Sequence, residues 1–239
     1  GGNAFAHKGG MHIDAVNKVP ESFEHISPEK VGNTRKILMS EVAGRSTIMK
    51  KIHEVDPTIA KDSPEAKKII EKLKELEYEG YQFEGAESSF ELIIRKILGK
   101  YTPSFELNEF KVVVNEPSVN SVNSSAMIKI KVGDQTEITA DEGFGPVNDL
   151  DKAVRKALER FYPQLKQMKL TDFKVRVLDS ASATAAKVRV LIESTDGKKS
   201  WTTIGVSTDL IEASWIALVD SIEYMLSHNR ENGGKEVGT

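Results

Sequence analysis

From about residue 110 onward the chain runs twice through the same order of elements: strand, strand, strand, helix. In the first pass, Phe110–Val114, Ala126–Val132 and Gln135–Thr139 alternate apolar and polar residues with period two, as half-buried strands do. Gly133 and Asp134 offer a tight hairpin between the last two. A Gly-rich loop, 141–146, then feeds a helix from about Val147 to Phe161. In the second pass the strands are Phe173–Leu178, Ala186–Glu193 and Trp201–Val206, and the helix runs from about Asp209 to Leu226. The residues follow the repeat. Leu150, Ala153, Ala157 and Leu158 recur as Leu210, Ala213, Ala217 and Leu218, and Ile128, Ile130 and Val132 as Val188, Val190 and Ile192, each 60 positions later. One offset in two elements points to a duplicated unit. Each such unit leaves an apolar sheet face that has to be buried against the other unit or against a second subunit.

The first half is built differently. Residues 1–50 are rich in Gly, His and Ser and carry no long helical period until about Ser46, so they are expected as irregular structure that needs a partner surface. Arg45 to Val55 is a candidate helix. Ser63-Pro64-Glu65 opens another with a side-chain cap, proline in the first turn and an early acid, and Ile69, Ile70, Leu73 and Leu76 share one face. A third, from Ser88 to Leu98, carries Phe90, Ile93, Ile94 and Ile97 and ends at Gly99. The expected division is an accessory subdomain over 1–50, a helical one over 51–106 and a βββα pair over 107–239, an α+β fold.

Composition excludes several function classes. The 239 residues hold no cysteine, which removes disulfides, thiolate metal sites and thiol nucleophiles. A net charge of -3, spread along the chain, marks out no nucleic-acid groove and no polybasic membrane patch. There is no apolar run of membrane-spanning length and no signal-peptide core at the N-terminus, so a cytoplasmic protein is expected.

Functional side chains concentrate in residues 4–14, where His7, His12 and Asp14 surround a Gly-Gly pair. His7 and His12 are five apart rather than at the i, i+4 helical spacing, and no third ligand is evident, so no metal is expected. A histidine in such a loop can act as a general acid or base, although one that merely bonds loop backbone is the commoner arrangement. Gly143-Phe-Gly-Pro-Val-Asn148 precedes a helix whose free N–H groups suit a carboxylate or phosphate. It fails the dinucleotide fingerprint, because Asn148 stands in place of the third glycine. The plainer reading is a turn with Asn148 or Asp149 as cap; at the second helix Asp209 can cap. The small residues of 178–186 leave room for a ligand or form a surface loop, and Trp201 and Trp215 are expected in the core or a subunit contact.

Three tracts together resemble a known family. They are residues 4–14; His25-Ile-Ser-Pro-Glu-Lys-Val-Gly-Asn33 running on to Ser40-Glu-Val-Ala-Gly-Arg-Ser46; and Gly145-Pro-Val147 with Trp201-Thr-Thr-Ile-Gly-Val206 leading into Ile211-Glu-Ala-Ser214. Over nearly its whole length the sequence resembles the C-terminal part of the 2-isopropylmalate synthase and citramalate synthase family, closest to citramalate synthases. Family enzymes condense acetyl-CoA with a 2-keto acid on a metal in an N-terminal (β/α)8 barrel. The resemblance therefore implies an accessory region and a dimerising regulatory domain without that barrel. Such a chain is inactive alone, has no cofactor of its own, and leaves the divalent metal and acetyl-CoA to the barrel.

The resemblance also implies roles. His12 matches a histidine that reaches toward a barrel active site and assists deprotonation of the acetyl group. Phe23 stands where many members have a tyrosine, and without a hydroxyl that role does not carry over. Val147, Asn148, Val177, Asp179, Ser180 and Val206 match the pocket for a branched-chain amino acid, isoleucine or leucine, that feedback-inhibits the enzyme. Implied partners are a second copy, that amino acid and the catalytic barrel, with neither nucleic acid nor membrane. Two alternatives stand beside this: a purely structural dimerisation module, and a free-standing enzyme using His7, His12 and Asp14.

Overall fold

The computed structural model describes residues 6–7, 36–37, 45–119, 122–178 and 186–233. The chain divides into two compact units, Gly1–Lys100 and Tyr101–Thr239.

In the first unit, β1 (Ala6–His7) pairs in parallel with β2 (Lys36–Ile37). Three helices follow: α1 (Arg45–Val55), α2 (Pro64–Glu79) and α3 (Glu87–Ile97). The expected cap is in place on α2, where Ser63 Oγ accepts the Ala66 N–H at 3.1 Å and Pro64 sits in the first turn. Gly99 takes a left-handed conformation (φ +66°) just past α3. Ile52, Ile69, Phe90, Leu92 and Ile94 are fully buried, each worth about 1.5–3 kcal/mol of burial. Ile70, Leu76, Ile93 and Ile97 flank that face half-buried.

The second unit is the duplicated one. β3 (Glu106–Val119), β4 (Val122–Val132) and β5 (Gln135–Gly143) form one antiparallel sheet, and α4 (Pro146–Leu158) packs on β4 and β5. β6 (Lys169–Val177), β7 (Val188–Thr195) and β8 (Ser200–Ser207) form the other, and α5 (Leu210–Gly233) packs on β7 and β8. Gly133 and Asp134 make the expected two-residue hairpin, with Gly133 at φ +57°. One continuous core holds Ile128 and Ile130, Leu150, Ala153 and Leu158, Val190 and Ile192, and Ala217, Leu218 and Ile222. Trp201 and Trp215 belong to it, as expected.

The duplication is present, but its offset is not 60. Thr139 Oγ1 donates to the Ala153 carbonyl at 2.7 Å, and Thr203 Oγ1 donates to the Ala217 carbonyl at 2.7 Å. Both residues of the pair are displaced by 64 positions (203 − 139 and 217 − 153). The sheets agree: Ile128 lies between Phe110 and Thr139, as Ile192 lies between Phe173 and Thr203. The opening strands also share a bulge, at Leu107/Glu109 and at Leu170/Asp172. An error of four residues is close to one helical turn and is two strand pleats, so it leaves every apolar face where it was. The misfit that betrays it is Leu210, 41% exposed, set against a fully buried Leu150. The true counterpart of Leu150 is the buried Ser214.

Candidate functional site

Between the start of α4 and β6 lies a cleft of about 510 Å³, lined by Val147, Asn148, Asp151, Arg155, Lys169, Leu170 and Phe173. Its helical wall follows from periodicity, since positions 147, 148, 151 and 155 fall on one flank of an α-helix. Its strand wall is the bulged beginning of β6.

The two helices of the repeat begin differently. At α5, Asp209 accepts the N–H groups of Ile211 at 2.7 Å and Glu212 at 3.0 Å, so the expected cap is made. At α4 the equivalent N-cap is Gly145, which supplies no side-chain acceptor. Neither Asn148 nor Asp149 caps this helix, because the backbone already turns at Gly145 and both residues lie inside the first turns. Asp149 is instead fully buried and accepts the Ser124 hydroxyl through Oδ2, while its Oδ1 has no hydrogen-bond partner. The positive end of α4 therefore stays open beside the cleft.

Charge in the cleft is mixed. Asp151 is 4% exposed and pairs through Oδ2 with the Arg155 guanidinium, which also donates to the Met168 carbonyl at 2.8 Å. Burial raises the Asp151 carboxyl above its ordinary value, against the pull of Arg155. Asp151 Oδ1 and Arg155 Nε have no hydrogen-bond partner. Lys169 is exposed at the rim.

Of the residues singled out from the sequence, the structure brings Val147 and Asn148 together in this cleft. Val177 and Val206 do not line it. Val177 stands opposite Val188 and Ser207, whereas Val206 stands opposite Arg189 and Arg176, so the two valines face opposite sides of their sheet. Asp179, Ser180, His12, Asp14 and Phe23 lie outside the described residues, and His7 is described only as part of β1. Asp151, Arg155, Lys169, Leu170 and Phe173 were not singled out. The available signal was an Asp–Arg pair at i, i+4 on the flank of an amphipathic helix. Among the described residues no group of three or more His, Asp or Glu side chains is placed to hold a metal, and no helix is long and apolar enough to cross a membrane.

Residues 84–226 match the family model described as the LeuA allosteric (dimerisation) domain, and residues 1–80 match the homocitrate synthase post-HMGL domain-like model. The chain is similar to the (R)-citramalate synthase of Aquifex aeolicus, 50% identical over 98% of this chain and 44% of the relative. It is also similar to the (R)-citramalate synthases of Geobacter sulfurreducens, 47% identical over 99% of this chain and 45% of the relative, and of Streptomyces coelicolor, 38% identical over 95% and 42%. It thus spans less than half the length of these relatives. With a match covering more than half of its 239 residues, the chain belongs to the LeuA allosteric (dimerisation) domain family.

Proposed function

We propose that this chain is the regulatory part of a citramalate synthase-type enzyme, one that condenses acetyl-CoA with a 2-keto acid, and that it binds isoleucine or leucine as a feedback inhibitor. The observation that carries this reading is the uncapped start of α4 beside a cleft that offers the apolar side chains of Val147, Leu170 and Phe173. Free N–H groups at Val147 and Asn148 suit the carboxylate of an amino acid, and the same two positions belong to the effector set that the family resemblance implies. The family resemblance also assigns Val177, Asp179, Ser180 and Val206 to that effector set, of which Val177 and Val206 lie outside this cleft. His12 is assigned to the active site of the barrel, where the divalent metal and acetyl-CoA also belong. Location in the cytoplasm follows from a biosynthetic role.

Dimerisation is part of the same proposal. Val175 and Val177 form a half-exposed apolar pair on the edge strand β6, the kind of surface a second copy covers. Effector binding acts by population shift: the amino acid prefers one arrangement of the dimer, and that arrangement changes how the accessory region meets the barrel.

Isothermal titration of the purified chain with isoleucine, leucine and valine, together with light scattering for its mass, tests the reading. Saturable binding by a dimer is the expected result. Val147→Trp, which crowds the cleft, abolishes binding and leaves the dimer intact. A folded dimer that takes up none of the three amino acids would instead be a structural dimerisation module.

A further inference from the structure

The offset of 64 that equates the two hydrogen-bonded Thr–Ala pairs also equates Asp151 of α4 with Trp215 of α5. The strand registers likewise equate Phe173 of β6 with Phe110 of β3. Across the junction of the two halves, the Trp215 ring of the second rests against Phe110 of the first, centroids 5.5 Å apart and planes at 37°. At the equivalent junction the residue at Trp215's place is an aspartate of the first half, and the cleft opens between it and Phe173 of the second. The cleft is the vacant twin of a seat that an indole fills elsewhere in the same domain. An acid is an expensive occupant of such a place. Asp151 is nearly out of solvent, Arg155 satisfies only one of its oxygens, and the other oxygen and Arg155 Nε are left without partners.

We infer that this cleft seats a free amino acid as its zwitterion, with Asp151 as the acceptor for the ligand ammonium. Lys169 and the open start of α4 hold the carboxylate, and the apolar side chain lies on Leu170 and Phe173 in the space that corresponds to the indole. This rests on the effector reading above and adds four ligand-contacting residues to it. The competing chemistries fit less well. A simple anion would enter beside two buried carboxylates, Asp149 and Asp151. A simple amine leaves Lys169 and the uncapped helix end unanswered. A wholly apolar molecule leaves the open oxygen of Asp151 unpaired.

The test is isothermal titration of the 239-residue chain with leucine, isoleucine and valine, with isoamylamine and 4-methylpentanoate as the deleted-group controls for leucine. The expected result is that an amino acid binds and neither control does. Asp151→Asn keeps the shape and removes the charge, and it should weaken binding about tenfold or more, the cost of one charge-assisted hydrogen bond. Lys169→Gln and Phe173→Ala, both at solvent-accessible positions, should each weaken it severalfold. Unchanged affinity in Asp151→Asn and Lys169→Gln, both folded by circular dichroism, overturns this site and leaves the effector reading standing. If Asp151→Asn does not fold, unchanged affinity in Lys169→Gln and Phe173→Ala overturns it equally. A folded wild-type chain that binds none of the amino acids overturns both.

Discussion

Gly205 of β8 lies so close beneath α5 that a Cβ placed on it would stand 2.0 Å from the Ala213 carbonyl oxygen. The obstacle is helix backbone, which cannot swing aside as a side chain would. Gly205→Ala should therefore lower stability by about 1–3 kcal/mol, the range of core overpacking, read as a reduced urea midpoint at unchanged slope.

Thr203 and Thr139 make the same hydrogen bond in the two halves, but Thr203 is fully buried while Thr139 is only partly so. Valine at either position keeps the shape and loses the bond. Thr203→Val is expected to cost about 1 kcal/mol and Thr139→Val less, because water replaces part of what is lost. Paired denaturation curves of the two variants check the order.

The connection into the second unit is fastened from α5. Glu223, 1% exposed, accepts the Ser104 N–H at 2.7 Å and the Ser104 hydroxyl at 2.8 Å, while Tyr162 donates to the Ser104 carbonyl at 2.7 Å. Glu223→Ala strands two buried donors and should destabilise by about 1–3 kcal/mol or more. Glu223→Gln, which keeps an acceptor, should cost less. Hydrogen exchange at the Ser104 amide would rise in the first variant ahead of the rest of the domain.

Asp56 supplies a pH prediction. The Lys100 ammonium at 2.7 Å, helped by the Thr58 hydroxyl and N–H, lowers its carboxyl from the ordinary 3.8 to about 2. Because the folded value is the lower one, the stabilisation is present in full above about pH 4 and fades as pH falls toward 2. The melting-temperature gap between wild type and Asp56→Asn should accordingly be constant near neutrality and close over that window.

Element types were legible because each rests on a local signal. Ser63 and Pro64 announce α2, Gly133 announces a hairpin, and period two announces Ala126–Val132. Lengths were less so: β3 runs from Glu106 to Val119, well past the five residues whose alternation is clean, because its pairing with β4 continues where its own pattern does not. The duplication was visible and its register was not, since a four-residue slip preserves both periodicities and only long-range contacts such as Thr203 with Ala217 break the tie. The same slip hid the cleft. Aligned at 60, Asp151 faces Ile211, an unremarkable pair; aligned at 64 it faces Trp215, and the missing ring becomes evident.

A dimer built from two copies of a single βββα unit is bound by its own symmetry: whatever side chain fills a position on one side must fill it on the other. Joining the two units in one chain, 64 residues apart, removes that bond. Position 215 can then hold an indole while position 151 holds an acid, and position 209 can close a helix with aspartate while position 145 leaves one open with glycine. Covalent duplication thus lets the two junctions between the halves differ, one closed by a ring and the other left open as a cleft.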